Sequence, residues 1–178
     1  PISNDNYELS AVTIGDPLLE TPSFIQDTLK ESTSLLKKYP ASAGIPELKD
    51  AMINFVNKRF NVALDITQII PTFGTREVLF NFPQFALFDK KDPVIAFTNP
   101  FYQIYEGAAI ASRASVIHIN LTKENNFKAV LSESQLEKCD LVVLNFPNNP
   151  TSASMSKEEL GQWVEKALKY DFILINDE

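Results

Sequence analysis

An unbroken apolar run, Leu141-Val142-Val143-Leu144, stops on Asn145-Phe146-Pro147-Asn148-Asn149-Pro150, and this stretch restricts the possible folds more than any other. A short run without polar interruption does not suit a half-solvated sheet. It reads as a strand covered on both faces, as in parallel sheets flanked by helices. Pro147 and Pro150 remove backbone donors and stop strand and helix alike. Asn148 and Asn149 are therefore held on a turn at the strand's C-terminal end, the edge where open α/β sheets bind ligands. A second run, Phe172-Ile173-Leu174-Ile175, ends in Asn176-Asp177-Glu178. It carries a carboxylate to the same edge, one strand over. An amide and a carboxylate on adjacent strand ends can hold a polar aromatic ligand at two of its ring atoms.

The rest of the chain alternates in the same way. Thr21-Pro22 reads as a helix start, with Thr21 as the cap and Pro22 in the first turn. Helical spacing of Phe24, Ile25, Thr28, Leu29, Leu35 and Leu36 then continues to Tyr39-Pro40. A second helix is predicted over 46–60. Strands are predicted over 68–72, 94–98 and 115–121, with helices over 76–87 and 102–112 and a short one over 134–138. Pro83 is expected to kink or shorten the helix that contains it. Ser156 and Glu159 form a capping box before a helical stripe of Leu160, Trp163, Val164, Ala167 and Leu168. Strands alternating with helices, without hairpin signals, imply a three-layer αβα fold around a mostly parallel sheet.

Composition closes off several functions. The formal charge is −7, with no long block of like charges, which argues against a nucleic-acid face. A single cysteine, Cys139, allows no intrachain disulfide, in keeping with a reduced, cytoplasmic setting. There is no membrane-length apolar run and no signal peptide. One histidine, His118, lies in an apolar strand pattern, so a His/Cys metal site lacks ligands and a Ser-His-Asp site lacks its base. Because the chain begins at Pro1 and stops at Glu178 straight after a strand, it is expected to be part of a longer protein.

Three more turns carry chemistry. Gly74-Thr75-Arg76 lies between a predicted strand and a helix, where free N–H groups and the positive end of the dipole attract anions. No GxGxxG or P-loop pattern accompanies it, so dinucleotide and nucleoside-triphosphate sites lack support. Pro100-Phe101-Tyr102-Gln103-Ile104-Tyr105 puts three aromatics at another strand end, where a ring could stack on a flat ligand. Ile14-Gly15-Asp16-Pro17 reads as a turn.

Taken in order, IGDP (14–17), YPASAG (39–44), GTRE (74–77), NPFYQIY (99–105), NFPNNPT (145–151) and INDE (175–178) resemble the pyridoxal-phosphate-dependent aminotransferases of fold type I, class I/II. FGTREVLFNFPQFAL and NFPNNPTSASMS look most like the N-succinyldiaminopimelate aminotransferase subgroup. The resemblance implies an N-terminal arm with helices over 1–66 and part of the cofactor-binding large domain, truncated at its C-terminus, over 67–178. It implies pyridoxal 5'-phosphate as cofactor, with Gly74, Thr75 and Arg76 on its phosphate, Tyr102 stacked on its ring, Asn149 on the 3′-oxygen and Asp177 on the ring nitrogen. Tyr39 would reach the phosphate in the other subunit of a homodimer, and Gly15, with Asn149, would lie near the substrate. The family's Schiff-base lysine is expected beyond Glu178, so no catalytic residue is assigned within this chain.

The implied reaction moves an amino group between an amino acid and a 2-oxo acid, with N-succinyldiaminopimelate and 2-oxoglutarate, in lysine biosynthesis, as the narrower expectation. A pyridoxal-phosphate lyase on the same scaffold, or a non-catalytic ligand-binding domain of that fold, are the alternatives. One departure stands out. The family's Asn-Pro-x-Gly reads Asn149-Pro150-Thr151-Ser152 here, which is expected to alter the turn, since serine tolerates a left-handed backbone less well than glycine.

Overall fold

The computed structural model describes residues 19–178, in two compact units that meet between Pro71 and Thr72. Gly15 and the IGDP turn lie outside the described residues.

In the first unit, α1 (Ser23–Glu31) is followed by a 3-10 stretch, Ser32–Lys37, and then by α2 (Pro46–Phe60). The predicted cap shifts by one residue: Pro22 is the N-cap of α1, and Thr21 contributes its carbonyl, which accepts from Gln26 Nε2 at 2.8 Å. Proline fits either position, because its missing donor would be unsatisfied in both. α2 starts on Pro46 and closes on Asn61 in the left-handed conformation, a residue that tolerates it better than most. The strand expected over 68–72 does not form. Asp65 and Gln68 instead close a capping box around a 3-10 turn, Ile66–Gln68. Only Ile69 and Ile70 then remain before Pro71, which has no donor, and no partner strand lies beside them among the described residues.

Gly44 ends a tight turn, with its N–H on Ala41 O at 2.9 Å and φ at +80°. A Cβ there would stand 2.5 Å from Pro71 Cγ. Gly44→Ala combines left-handed strain with a clash against a rigid ring and should cost about 2–4 kcal/mol. Chemical denaturation measures it; a loss below about 0.5 kcal/mol, the range of an ordinary surface change, would contradict this reading.

The second unit opens with α3 (Thr75–Ala86) and continues β1 (Val94–Asn99), α4 (Ile104–Ala111), β2 (Ser115–Asn120), α5 (Glu133–Leu136), β3 (Leu141–Asn145), α6 (Lys157–Tyr170) and β4 (Ile173–Asp177). The strands form one parallel sheet in the order β2-β1-β3-β4. β3 is buried along its whole length, as its uninterrupted apolar run requires. Its side chains alternate between two cores. Leu141 and Val143, with Ile95 and Phe97 of β1, pack beneath Leu79 of α3 and Tyr105 and Ala109 of α4. Val142 and Leu144, with Ala96, face Leu136 of α5 and Trp163 of α6. α4 and α5 thus cross on opposite faces, as they must when the chain first steps outward from β1 to β2 and then returns past β1 to β3 with one handedness. The strand order reverses between β1 and β3, and the crevice at their C-terminal ends is where such sheets bind ligands.

Pro83 does not end α3, which runs three residues past it. The ring is buried in the packed face, and Gln84 Nε2 donates to Phe80 O at 2.9 Å in the turn that the proline disturbs. Burial therefore outweighs one missing backbone bond. The capping box at α6 forms as read, Glu159 N to Ser156 Oγ at 3.2 Å and Ser156 N to Glu159 Oε2 at 2.9 Å. No described helix is long and apolar enough to cross a membrane, and no cluster of metal-ligating side chains occurs among the described residues.

Candidate functional site at the strand tips

Parallel pairing of β3 and β4 sets Asn145 opposite Asp177. Strand alternation turns both toward the face that carries α4. Asn145 Nδ2 donates to the backbone carbonyl of Asp177 at 2.8 Å. Its Oδ1 accepts from Asn149 N, also at 2.8 Å. Asn149 and Asp177 therefore sit on one edge of the sheet, tied through a single side chain that is 8% exposed.

The two asparagines of the turn part company. Asn148 is buried, and its Oδ1 accepts from Thr151 Oγ1 at 2.7 Å while its Nδ2 reaches Pro100 O at 3.5 Å, across the crevice to the loop after β1. It is a structural residue of the turn. Asn149 is exposed, and its side-chain amide has no hydrogen bond among the described residues. Ser152 takes the left-handed conformation, φ 58°, that glycine would adopt more cheaply, and bonds through its N–H to Asn148 O at 2.7 Å. The turn holds this conformation at a cost in strain. Ser152→Gly should stabilise the protein by about 0.5–1 kcal/mol, the left-handed relief less the extra chain entropy of glycine. A lower denaturation midpoint for the variant would refute this.

The three aromatics after β1 divide their work. Phe101 meets Phe97 edge to face at 4.9 Å and stacks on His118 at 5.7 Å. Tyr105 is 2% exposed and donates its hydroxyl to Asp177 Oδ2. Burial first, then the Asp177 carboxylate, push the Tyr105 phenol far above the usual tyrosine range, so it stays a neutral donor. Tyr102, half-buried, meets Tyr105 edge to face at 6.0 Å.

Gly74 is the N-cap of α3 with φ 97°, and among the described residues nothing lies within 4 Å of where a Cβ would be and no side chain caps the helix. The helix's first N–H groups are left without intrahelical partners. Phe80 lies 3.8 Å from the place of a Cβ on Gly107, and Gln84 and Leu87 share a cavity with Ala111, Ser112 and Arg113. α3 and α4 therefore run side by side in the same sense. Since α4 starts from the tip of β1, the Gly74 end of α3 points to the same edge of the sheet. Thr75 and Arg76 are exposed there. Tyr39, fully exposed, belongs to the first unit.

Sequence reasoning missed Asn145 and Tyr105 as members of this group. The signals were present: Asn145 is the last residue of an apolar strand and shares its face with Leu141 and Val143, and Tyr105 lies one helical turn beyond Tyr102. The partner of both, Asp177, is remote in sequence, 72 residues from Tyr105.

Residues 10–178 match the family model described as aminotransferase class I and II. The chain is 29% identical to an LL-diaminopimelate aminotransferase from Maridesulfovibrio salexigens, over 99% of the chain and 46% of that protein. It is 31% identical to an asparagine–oxo-acid transaminase from Streptococcus mutans, over 98% of the chain and 44% of that protein. Among solved structures, the aminotransferase AspB from Helicobacter pylori superposes with a TM-score of 0.91 at 55% identity, covering 93% of the chain and 44% of that structure. The chain thus spans about half the length of the relatives it matches. A parallel sheet with its polar tips at the strand reversal, together with these matches, identifies the chain as a member of the class I and II aminotransferases, the pyridoxal-phosphate-dependent family of fold type I.

Proposed function

We propose that the protein carrying this chain transfers an amino group between an amino acid and a 2-oxo acid, with pyridoxal 5'-phosphate held at the strand tips. The observation that carries the reading is the joint placement of Asp177 and Asn149 on one edge through Asn145. The donor set fits the cofactor group by group. Asp177 offers a carboxylate to a protonated ring nitrogen, Asn149 a free amide to the 3′-oxygen, and Tyr102 a ring beside them. Gly74, Thr75 and Arg76 offer a helix N-terminus and a cation to the phosphate, with open space over Gly74. Bound there, the cofactor supplies an electron sink for the substrate carbon. The chain's own part is to keep the ring nitrogen charged, fix the ring plane and anchor the phosphate.

Relatives named for diaminopimelate and asparagine differ in donor. The narrower expectation of N-succinyldiaminopimelate with 2-oxoglutarate, in lysine biosynthesis, rests on the FGTREVLFNFPQFAL and NFPNNPTSASMS stretches. The similarity to an LL-diaminopimelate aminotransferase favours the unsuccinylated compound as a second reading. In the same reading the protein is a cytoplasmic homodimer, Tyr39 reaches the partner's cofactor phosphate, Gly15 lies near the substrate, and the two parts of this chain divide at residues 66 and 67. Assay of the full-length protein with each donor, with and without 2-oxoglutarate, tests the reaction. Glutamate should form only when donor and acceptor are both present. Turnover without any 2-oxo acid would indicate a lyase, and no turnover with bound cofactor a binding domain.

A further inference from the structure

We propose that Asn145 is a positioning residue that sets the distance between the cofactor's two polar contacts. This rests on the function proposed above. Neither ring contact of the cofactor is assigned to Asn145. It spends both ends of its amide inside the protein, Nδ2 on Asp177 O and Oδ1 on Asn149 N, each at 2.8 Å. A primary amide is the side-chain group that offers a donor and an acceptor in one rigid plane. It therefore ties the last residue of β4 to the turn after β3, at the point where the strand ladder between them ends.

At 8% exposure, little water can replace either bond. Tyr105 restrains the Asp177 carboxylate from the helix side, whereas Asn145 restrains its main chain. The carboxylate is thereby held from two directions. Asn149 has no such second support: its side chain has no hydrogen bond among the described residues, and its backbone N–H bonds to Asn145. Asn145 thus acts through Asn149 more than through Asp177.

The test is a double-mutant cycle on the full-length protein, read as the pyridoxal 5'-phosphate dissociation constant from the change in visible absorption on titration. Asn145→Ala in the otherwise native protein is expected to weaken binding about tenfold, the order seen for outer-layer partners of ligand-holding groups. In an Asn149→Ala background the same substitution is expected to weaken it about threefold or less, because the residue it positions has lost its amide. Asn145→Ser, a smaller change at this buried place, should follow the same pattern and decides the case if the alanine protein is insoluble. Denaturation midpoints of all variants separate loss of fold from loss of positioning. An unchanged dissociation constant in Asn145→Ala, or an equal factor in both backgrounds, overturns the proposal. A native protein that binds no pyridoxal phosphate would overturn the functional reading instead.

Discussion

Asp177→Asn in the full-length protein is expected to lower kcat by about a hundred- to a thousandfold while leaving KM for the amino acid within a fewfold. The substitution keeps the size of the side chain and a bond to Tyr105, since the amide oxygen still accepts the phenolic proton. It removes only the charge. A neutral amide no longer favours a protonated ring nitrogen, and the developing negative charge on the substrate carbon loses its sink. Removing one preorganised electrostatic partner costs about 2.7–4 kcal/mol of barrier, the origin of the quoted range. Loss in kcat with little change in KM is the pattern of an interaction made in the transition state. Stopped-flow measurement of the first half-reaction isolates the step. A loss of less than about tenfold would mean that Asp177 does not meet the ring nitrogen.

Trp163→Ala should have the largest effect on stability, about 3–5 kcal/mol, the usual cost of emptying a buried indole site. Trp163 is 2% exposed and packs with Val142, Leu144 and Phe146 beneath α6, with Lys166 Nζ 4.6 Å from its ring. Lys166→Ala tests the cation's share separately and should cost about 0.5–1 kcal/mol, as for exposed cation–ring pairs. Phe146 links this core to the site, because it precedes Pro147 and the turn that carries Asn149. The Trp163 cavity should therefore also weaken cofactor binding. Chemical denaturation of the two variants provides the comparison. A loss below about 1 kcal/mol for Trp163→Ala would show that the α6 face is not a packed core.

The sheet was legible because its strands announce themselves. Leu141–Leu144 is apolar at every position, and only a strand covered on both faces needs that. The site edge was legible for the same reason: prolines after β3 and a carboxylate at the end of β4 put polar groups at strand ends. Residues 68–72 misled because an apolar stretch has the composition of a strand whether or not a neighbour exists to pair with it. Pro83 does not end its helix, because the rule for helix breaking weighs a lost backbone bond, whereas the chain buries the ring in the α3–α4 layer. The partnership of Asn145 and Tyr105 with Asp177 escaped for a third reason. Their meaning lies in the register of β3 on β4 and in the placement of α4 over it, and neither is a property of local sequence. The left-handed Ser152 shows the converse: a local preference yielded to the hydrogen bonds of the turn, from Ser152 to Asn148 and from Asn148 to Ala153.

The claim beneath all of this is that neighbouring strand tips converge on one flat phosphorylated ring. Diffraction from crystals of the full-length protein grown with pyridoxal 5'-phosphate tests it directly. The account predicts the ring nitrogen within hydrogen-bond reach of the Asp177 carboxylate, the 3′-oxygen on the Asn149 amide, and the phosphate at the Gly74 end of α3. Density for the cofactor at another edge of the sheet, or at this edge with Asp177 turned away and bonded only to Tyr105, would contradict it.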